Sequence, residues 1–317
     1  MNATTKFAGF ALGLAAVFGI AVAVGATIGP SPDPNESTQD GHDGHAAPDT
    51  APAADLPGGL LASDQGYTLA LDKPNTTTAP QATTSFRILD ANGTPVTKYV
   101  NSHDKDLHLI VVRRDMAGFQ HVHPVLDQAG TWSVPLNLSR AGDYRVFADF
   151  TPTGGSNLTL GADLRVAGNY DVQALPAPAA TAKVGDYTVA LNGTVTPGTA
   201  SKVTLSVSRN SAPVTDLQPY LGAYGHLVAL RAADLAYLHV HPEGAPGDGV
   251  TPAGPGIEFV VNAPTAGDYR LFLDFQHQGV VRTAEFTLTL TTEDRAAAAP
   301  AVPTPAPADH GTSGHGQ

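Results

Sequence analysis

The sequence predicts an all-β protein: two tandem immunoglobulin-like antiparallel β-sandwiches following an N-terminal transmembrane helix. Three observations predict it. The chain holds 33 Gly and 26 Pro with only 15% charged residues, a balance that suits strands and tight turns better than helices. Runs such as HLIVVRR, GTWSVPL, YRVFADF and KVTLSVS recur between Gly, Pro and Asn turns, at the roughly 8–12-residue spacing of a sandwich with about seven strands. The sequence also repeats itself. Residues 92–124 lie over 210–242 without a gap and agree at 11 of 33 positions, the mark of a duplicated structural unit.

In chain order, residues 1–6 form a short cytoplasmic N-terminus. Residues 7–29 carry no charge, and about 20 apolar residues in a helix span a bilayer core. Lys6 precedes this run, while Asp33, Glu36, Asp40 and Asp43 follow it with no basic residue before Lys73. The positive-inside rule then places everything after residue 30 outside the cytoplasmic membrane. The expectation is a single-pass anchor; cleavage at the VGA of 24–26 would make the protein secreted instead. Residues 30–62 are a His/Pro/Ala linker containing DGHDGH, and 293–317 are an Ala/Pro/His tail with His310 and His315. Both have too few large apolar residues to bury a core and are expected to be disordered. Repeat 1 spans 63–168 and repeat 2 spans 183–292, joined by a linker over 169–182. In each repeat an AGDY run precedes a hydrophobic strand, so Tyr144 and Tyr269 are expected at tyrosine corners.

Composition excludes several functions. Seventeen basic against 29 acidic residues give a net charge of -12, which argues against a nucleic-acid partner. The chain has no Cys, which removes disulfides, thiolate metal sites and cysteine nucleophiles. No phosphate-cradling Gly loop, nucleophile elbow or H-E-x-x-H helix is present, so no enzymatic activity is expected.

The repeats share one chemical pattern: His108, His121 and His123 align with His226, His239 and His241. Residues two apart on a strand share a face, so each HVHP run points two imidazoles the same way. Reading HLIVVRRDMAGFQHVHP as a hairpin puts its turn near 115 and brings His108 beside the pair; the same arithmetic centres the second turn near 233. Imidazole is a ligand for Zn, Cu(II) and Ni, and three leave one coordination position for a carboxylate or water. Asp149 and Asp274 are the expected fourth ligands, with Glu243 and His277 as alternatives in repeat 2 and Met116 available only to repeat 1. With two Met and no Cys the soft set for Cu(I) is missing. The bland alternative is that these histidines pack structurally, since a duplication copies packing residues too. The tip arginines Arg113, Arg114 and Arg231 read as solvated loop charges, and Trp132 as core.

Two copies of H-x12-H-V-H-P in sandwich domains, behind a membrane segment and Ala/Pro-rich linkers, resemble the exported heavy-metal-associated proteins of high-GC Gram-positive bacteria. They are also similar in outline to the YtkA-like and CopC-like copper-handling sandwiches. The resemblance implies a membrane-anchored extracytoplasmic protein that binds divalent copper or zinc for buffering, delivery or resistance. A metal transporter or another membrane protein is the partner it implies. An extracellular structural or protein-interaction module with structural histidines is the alternative.

Overall fold

The computed structural model describes residues 56–238 and 240–292. The expected membrane segment at 7–29, the linker as far as residue 55, the tail from 293 and His239 lie outside the described residues. Among the described residues no helix is long and apolar enough to cross a membrane.

The first sandwich joins two five-stranded sheets. One runs in the order β1 (Ser63–Asp64), β2 (Tyr67–Leu71), β4 (Ala79–Leu89), β8 (Trp132–Leu138), β7 (Val125–Leu126). The other runs β3 (Asn75–Thr77), β10 (Leu158–Ala167), β9 (Gly142–Phe150), β5 (Leu107–Arg113), β6 (Gln120–Val122). In the second sandwich β11 (Thr181–Val184), β12 (Tyr187–Asn192), β13 (Ala200–Arg209), β18 (Gly256–Asn262) and β17 (Val240–Pro242) form one sheet, with β14 (Ala212–Pro213) on β13. Its second sheet is β16 (Tyr237–Leu238), β15 (Gly225–Arg231), β19 (Gly267–His277), β20 (Val280–Leu290). Pairing is antiparallel except between β3 and β10. Both expected corners form: the Tyr144 hydroxyl donates to the Arg140 carbonyl and that of Tyr269 to the Thr265 carbonyl, each at 2.8 Å.

Alternation along the strands decides where everything else goes. On β5, Leu107, Leu109 and Val111 enter the core of repeat 1; on β15, Leu227 and Ala229 enter that of repeat 2. The intervening residues Ile110, Val112, Val228 and Leu230 are buried as well, in a third cluster with Phe147, Phe272, Met116 and Leu235. The sandwiches belong to one compact unit, and the outer faces of their β5/β9 and β15/β19 sheets form a seam. Ile110, Val112 and Phe147 have Val228, Leu230 and Phe272 as their repeat counterparts, so the seam is quasi-symmetric, like an isologous dimer interface within one chain. Phe119 stacks on Phe272 with ring centres 3.9 Å apart, and Tyr237 lies 5.6 Å from Phe147.

Of the tip arginines, Arg113 is buried, contrary to the sequence expectation, whereas Arg114 is exposed and Arg231 half-exposed. Arg113 is 1% exposed, forks onto the Asp115 carboxylate at 2.9 and 2.5 Å, and donates to the carbonyls of Ala141 and Asp171. Arg114 crosses the seam to the carbonyl of Ala233 at 2.6 Å, and Arg231 pairs with Asp234. The chain returns over the tip of the first hairpin and covers it. Trp132 is core, with its indole N–H donating to the Tyr99 hydroxyl at 3.2 Å.

A short segment ahead of β1 straps the seam from outside. The Tyr237 amide donates to the Gly58 carbonyl in repeat 2's direction, while the Gly59 amide donates to the Thr159 carbonyl of repeat 1. Arg145 donates to the carbonyls of Gly59 and Leu60. Gly161 permits this closeness: a Cβ there would stand 2.0 Å from the Gly59 carbonyl oxygen.

Candidate metal centre

The β5–β6 hairpin pairs Ile110 with His121 and Leu109 with Val122, a register that sets His108 opposite His123 and keeps all three histidines on the seam face. On the neighbouring strand β9, Asp149 pairs with His108. In repeat 2 the register of β15 with β19 pairs His226 with Asp274. The first HVHP run therefore lies on the seam face, at the end where the apolar cluster stops, whereas in repeat 2 Val240–Pro242 pair with β18 of the other sheet. A cleft of about 240 Å³ opens there, walled by His108, His121, Asp149, His226 and Tyr237 among others.

Ring nitrogens of His108, His121 and His123 lie within 4.8 Å of one another. His108 Nδ1 is 3.1 Å from His121 Nε2 and 3.2 Å from His123 Nε2, and the three ring centres are 5.0 to 5.4 Å apart. Two imidazole nitrogens bound at about 2.0–2.1 Å to one tetrahedral ion stand roughly 3.3 Å apart. The fit is close.

The hydrogen bonds behind the rings set which nitrogens are available. His108 Nε2 lies 3.1 Å from the Ser102 carbonyl; a carbonyl only accepts, so Nε2 carries the hydrogen and Nδ1 the lone pair. His121 Nδ1 donates to Asp274 Oδ2 at 2.8 Å, which leaves the lone pair of the neutral ring on Nε2. Two lone pairs then face each other across 3.1 Å, an arrangement that repels unless a cation lies between them. Carboxylate and carbonyl partners of this kind orient metal-bound histidines. His226 repeats the pattern of His108, with Nε2 donating to the Tyr220 carbonyl at 2.8 Å.

Burial keeps His108, His123 and His226 neutral. Desolvation brings His108 down to about 4, against the stabilising pull of the Ser102 carbonyl. Desolvation and the neighbouring His121 and His108 bring His123 to about 3. Desolvation likewise brings His226 to about 4. Tyr237, buried beside Asp149, is pushed well above its usual value.

The carboxylates exchange repeats. The sequence pairs each aspartate with its own histidines, but Asp274 of repeat 2 holds His121 of repeat 1, with the Thr283 hydroxyl on its other oxygen. Asp149 of repeat 1 accepts from Asn157 at 2.9 Å and from Tyr237 of repeat 2 at 3.5 Å. Facing the two sheets across the seam makes each aspartate a neighbour of the other repeat's hairpin. His226 joins the cluster from repeat 2, with ring centres 6.4 Å from His108 and 6.3 Å from His121. His239 lies outside the described residues; His241 is placed by its backbone, in β17 opposite Val260. The sequence alternatives lie elsewhere. His277 is bonded to Tyr187 and Asp216, Glu243 sits 3.8 Å from Lys202, and Met116 fills the seam. His103 was missed. Its ring centre is 5.3 Å from that of His226 and 6.2 Å from that of His108, but its counterpart is Leu221, so agreement between the repeats does not select it.

Fold and cluster together define a tandem β-sandwich protein with a histidine cluster at the seam between its repeats. The chain belongs to the family described as Domain of unknown function (DUF8832), whose model matches it twice, over residues 62–168 and 182–292. Comparison with curated proteins gives no match. Among solved structures the chain is similar to the Escherichia coli adhesin FdeC at 14% identity, over 72% of this chain and 65% of that one, with a TM-score of 0.22. It is similar to the Yersinia pseudotuberculosis adhesin InvE at 15% identity, over 71% and 59%, with a TM-score of 0.23. Yersinia pseudotuberculosis InvD matches at 14% identity, over 72% and 58%, with a TM-score of 0.24. The chain spans less than two-thirds of the length of each.

Proposed function

We propose that this is an extracytoplasmic, membrane-anchored protein that binds a divalent ion, Cu(II) or Zn, through His108, His121 and His123, for metal buffering, delivery or resistance. One observation carries the reading: two imidazole lone pairs, each fixed by a hydrogen bond behind its ring, face one another at 3.1 Å. A borderline cation relieves that repulsion with ligands it prefers. The all-nitrogen donor set and the absence of Cys favour Cu(II), Zn or Ni over Cu(I). Three imidazoles leave the fourth position to water or another ligand, and a membrane metal transporter is the partner this activity calls for.

A second reading has its own support. A proton shared between His108 and His121 relieves the same repulsion, and the His121–Asp274 bond joins the repeats. The cluster is then a clasp within an extracellular structural or interaction module. Titrating the full chain in detergent with Cu(II), Zn and Ni at pH 7.4, beside His123→Ala, separates the two. Metal centre: the variant binds one ion fewer per chain at high affinity. Clasp: calorimetric traces of variant and wild type superimpose for all three ions.

A further inference from the structure

The three-histidine centre is recessed, yet a buffer or delivery protein must load and release its ion. We propose that His103 and His226 form a second, labile position for the same divalent ion at the mouth of the cleft, through which the inner centre exchanges. This rests on the metal-binding reading above.

The geometry points there step by step. The His103 and His226 ring centres are 5.3 Å apart, within the 5.0 to 5.4 Å separations of the inner three. His226 has committed Nε2 to the Tyr220 carbonyl, so Nδ1 is its donor atom. With Nδ1–H donating to the Ser102 hydroxyl, 3.2 Å away, His103 offers the lone pair of Nε2. His103 is exposed whereas His226 is 9% exposed, and both line the cleft with His108 and His121. The exposed His103 thus adjoins both the buried His226 and the half-buried His108, with ring centres 5.3 and 6.2 Å away, and His108 in turn lies 5.4 Å from His121.

The repeat supplies an internal control. His103 and Leu221 occupy equivalent positions in left-handed turns, with φ of 51° and 52°. The turn accepts Leu, so it does not require His. Two nitrogens hold an ion briefly and three hold it longer, as an exchange stop needs.

His103→Asn tests this, because Asn adopts left-handed backbone readily and preserves the turn. Cu(II) loading, and its removal by excess chelator, are followed by stopped-flow absorbance in the full chain in detergent. Both rates are expected to fall about 10-fold or more together, with the dissociation constant of the inner centre within about 3-fold of wild type, as removal of a stop on the path of both directions requires. Unchanged rates with unchanged affinity overturn the entry position and leave the inner centre standing. A wild-type chain that binds no Cu(II) overturns both.

Discussion

At His121 two demands meet on one ring. Nδ1 satisfies Asp274, whose side chain is 5% exposed, and Nε2 faces His108. His121→Ala removes the ring and strands a buried carboxylate, so stability in urea at pH 7 is expected to fall by about 3 kcal/mol. His123→Ala removes a ring whose described hydrogen bond is to His108 and is expected to cost about 1 kcal/mol or less. Equal losses would contradict the distinct roles assigned to the two rings. The depressed histidines also set a pH dependence for the metal-free protein. His108, His123 and His226 take up protons at about 4, 3 and 4 in the folded state and near 6.5 when unfolded. Between those values the unfolded chain binds more protons, so the stability these neutral rings provide is complete above about pH 6.5 and is lost progressively as pH falls toward 4. Urea midpoints measured from pH 7.5 to 4 check this; a flat profile over that range would mean the rings are already hydrated. Metal binding, for its part, should survive to more acid pH than the range near 6–7 expected for exposed imidazoles.

The hairpins were legible because their rules are local. Period-two alternation gave the shared face of His121 and His123, and the turn centre near 115 agrees with the observed pairing of Ile110 with His121. Tip residues were not legible. Arg113 looks solvated when its neighbours in sequence are Arg114 and Asp115, yet it is covered by the linker 58 residues on, where the Asp171 carbonyl accepts from it and the Gln173 amide donates to Asp115. Nothing near 113 in sequence announces that return. Arg113→Met keeps much of the volume but leaves the Asp115 carboxylate buried without its guanidinium. A loss of about 3–5 kcal/mol is expected, with faster proteolysis of the linker near 171–175. Unchanged cleavage there would show that the linker is held by other contacts.

Across the whole molecule, the missing information was the partner of each outer face. In the structure β5 is buried on both sides, but no run in repeat 1 says that the second cover is repeat 2. That ignorance propagates to the site, because the aspartates were assigned within repeats and the structure crosses them. The seam itself can be tested at its aromatic stack. Phe272→Ala removes the ring lying on Phe119 and is expected to lose about 3–5 kcal/mol, with calorimetry resolving two transitions where the wild type shows one. A single transition would mean that the repeats remain cooperative without the stack. The strap at 58–59 gives the molecule a mechanical character as well. A pull on the chain entering at residue 56 is taken first by the bonds from Gly58 to Tyr237 and from Gly59 to Thr159, one in each repeat. Tension from the N-terminal side is therefore divided between the two sandwiches at their junction, beside the histidines, and does not begin by peeling an outer strand.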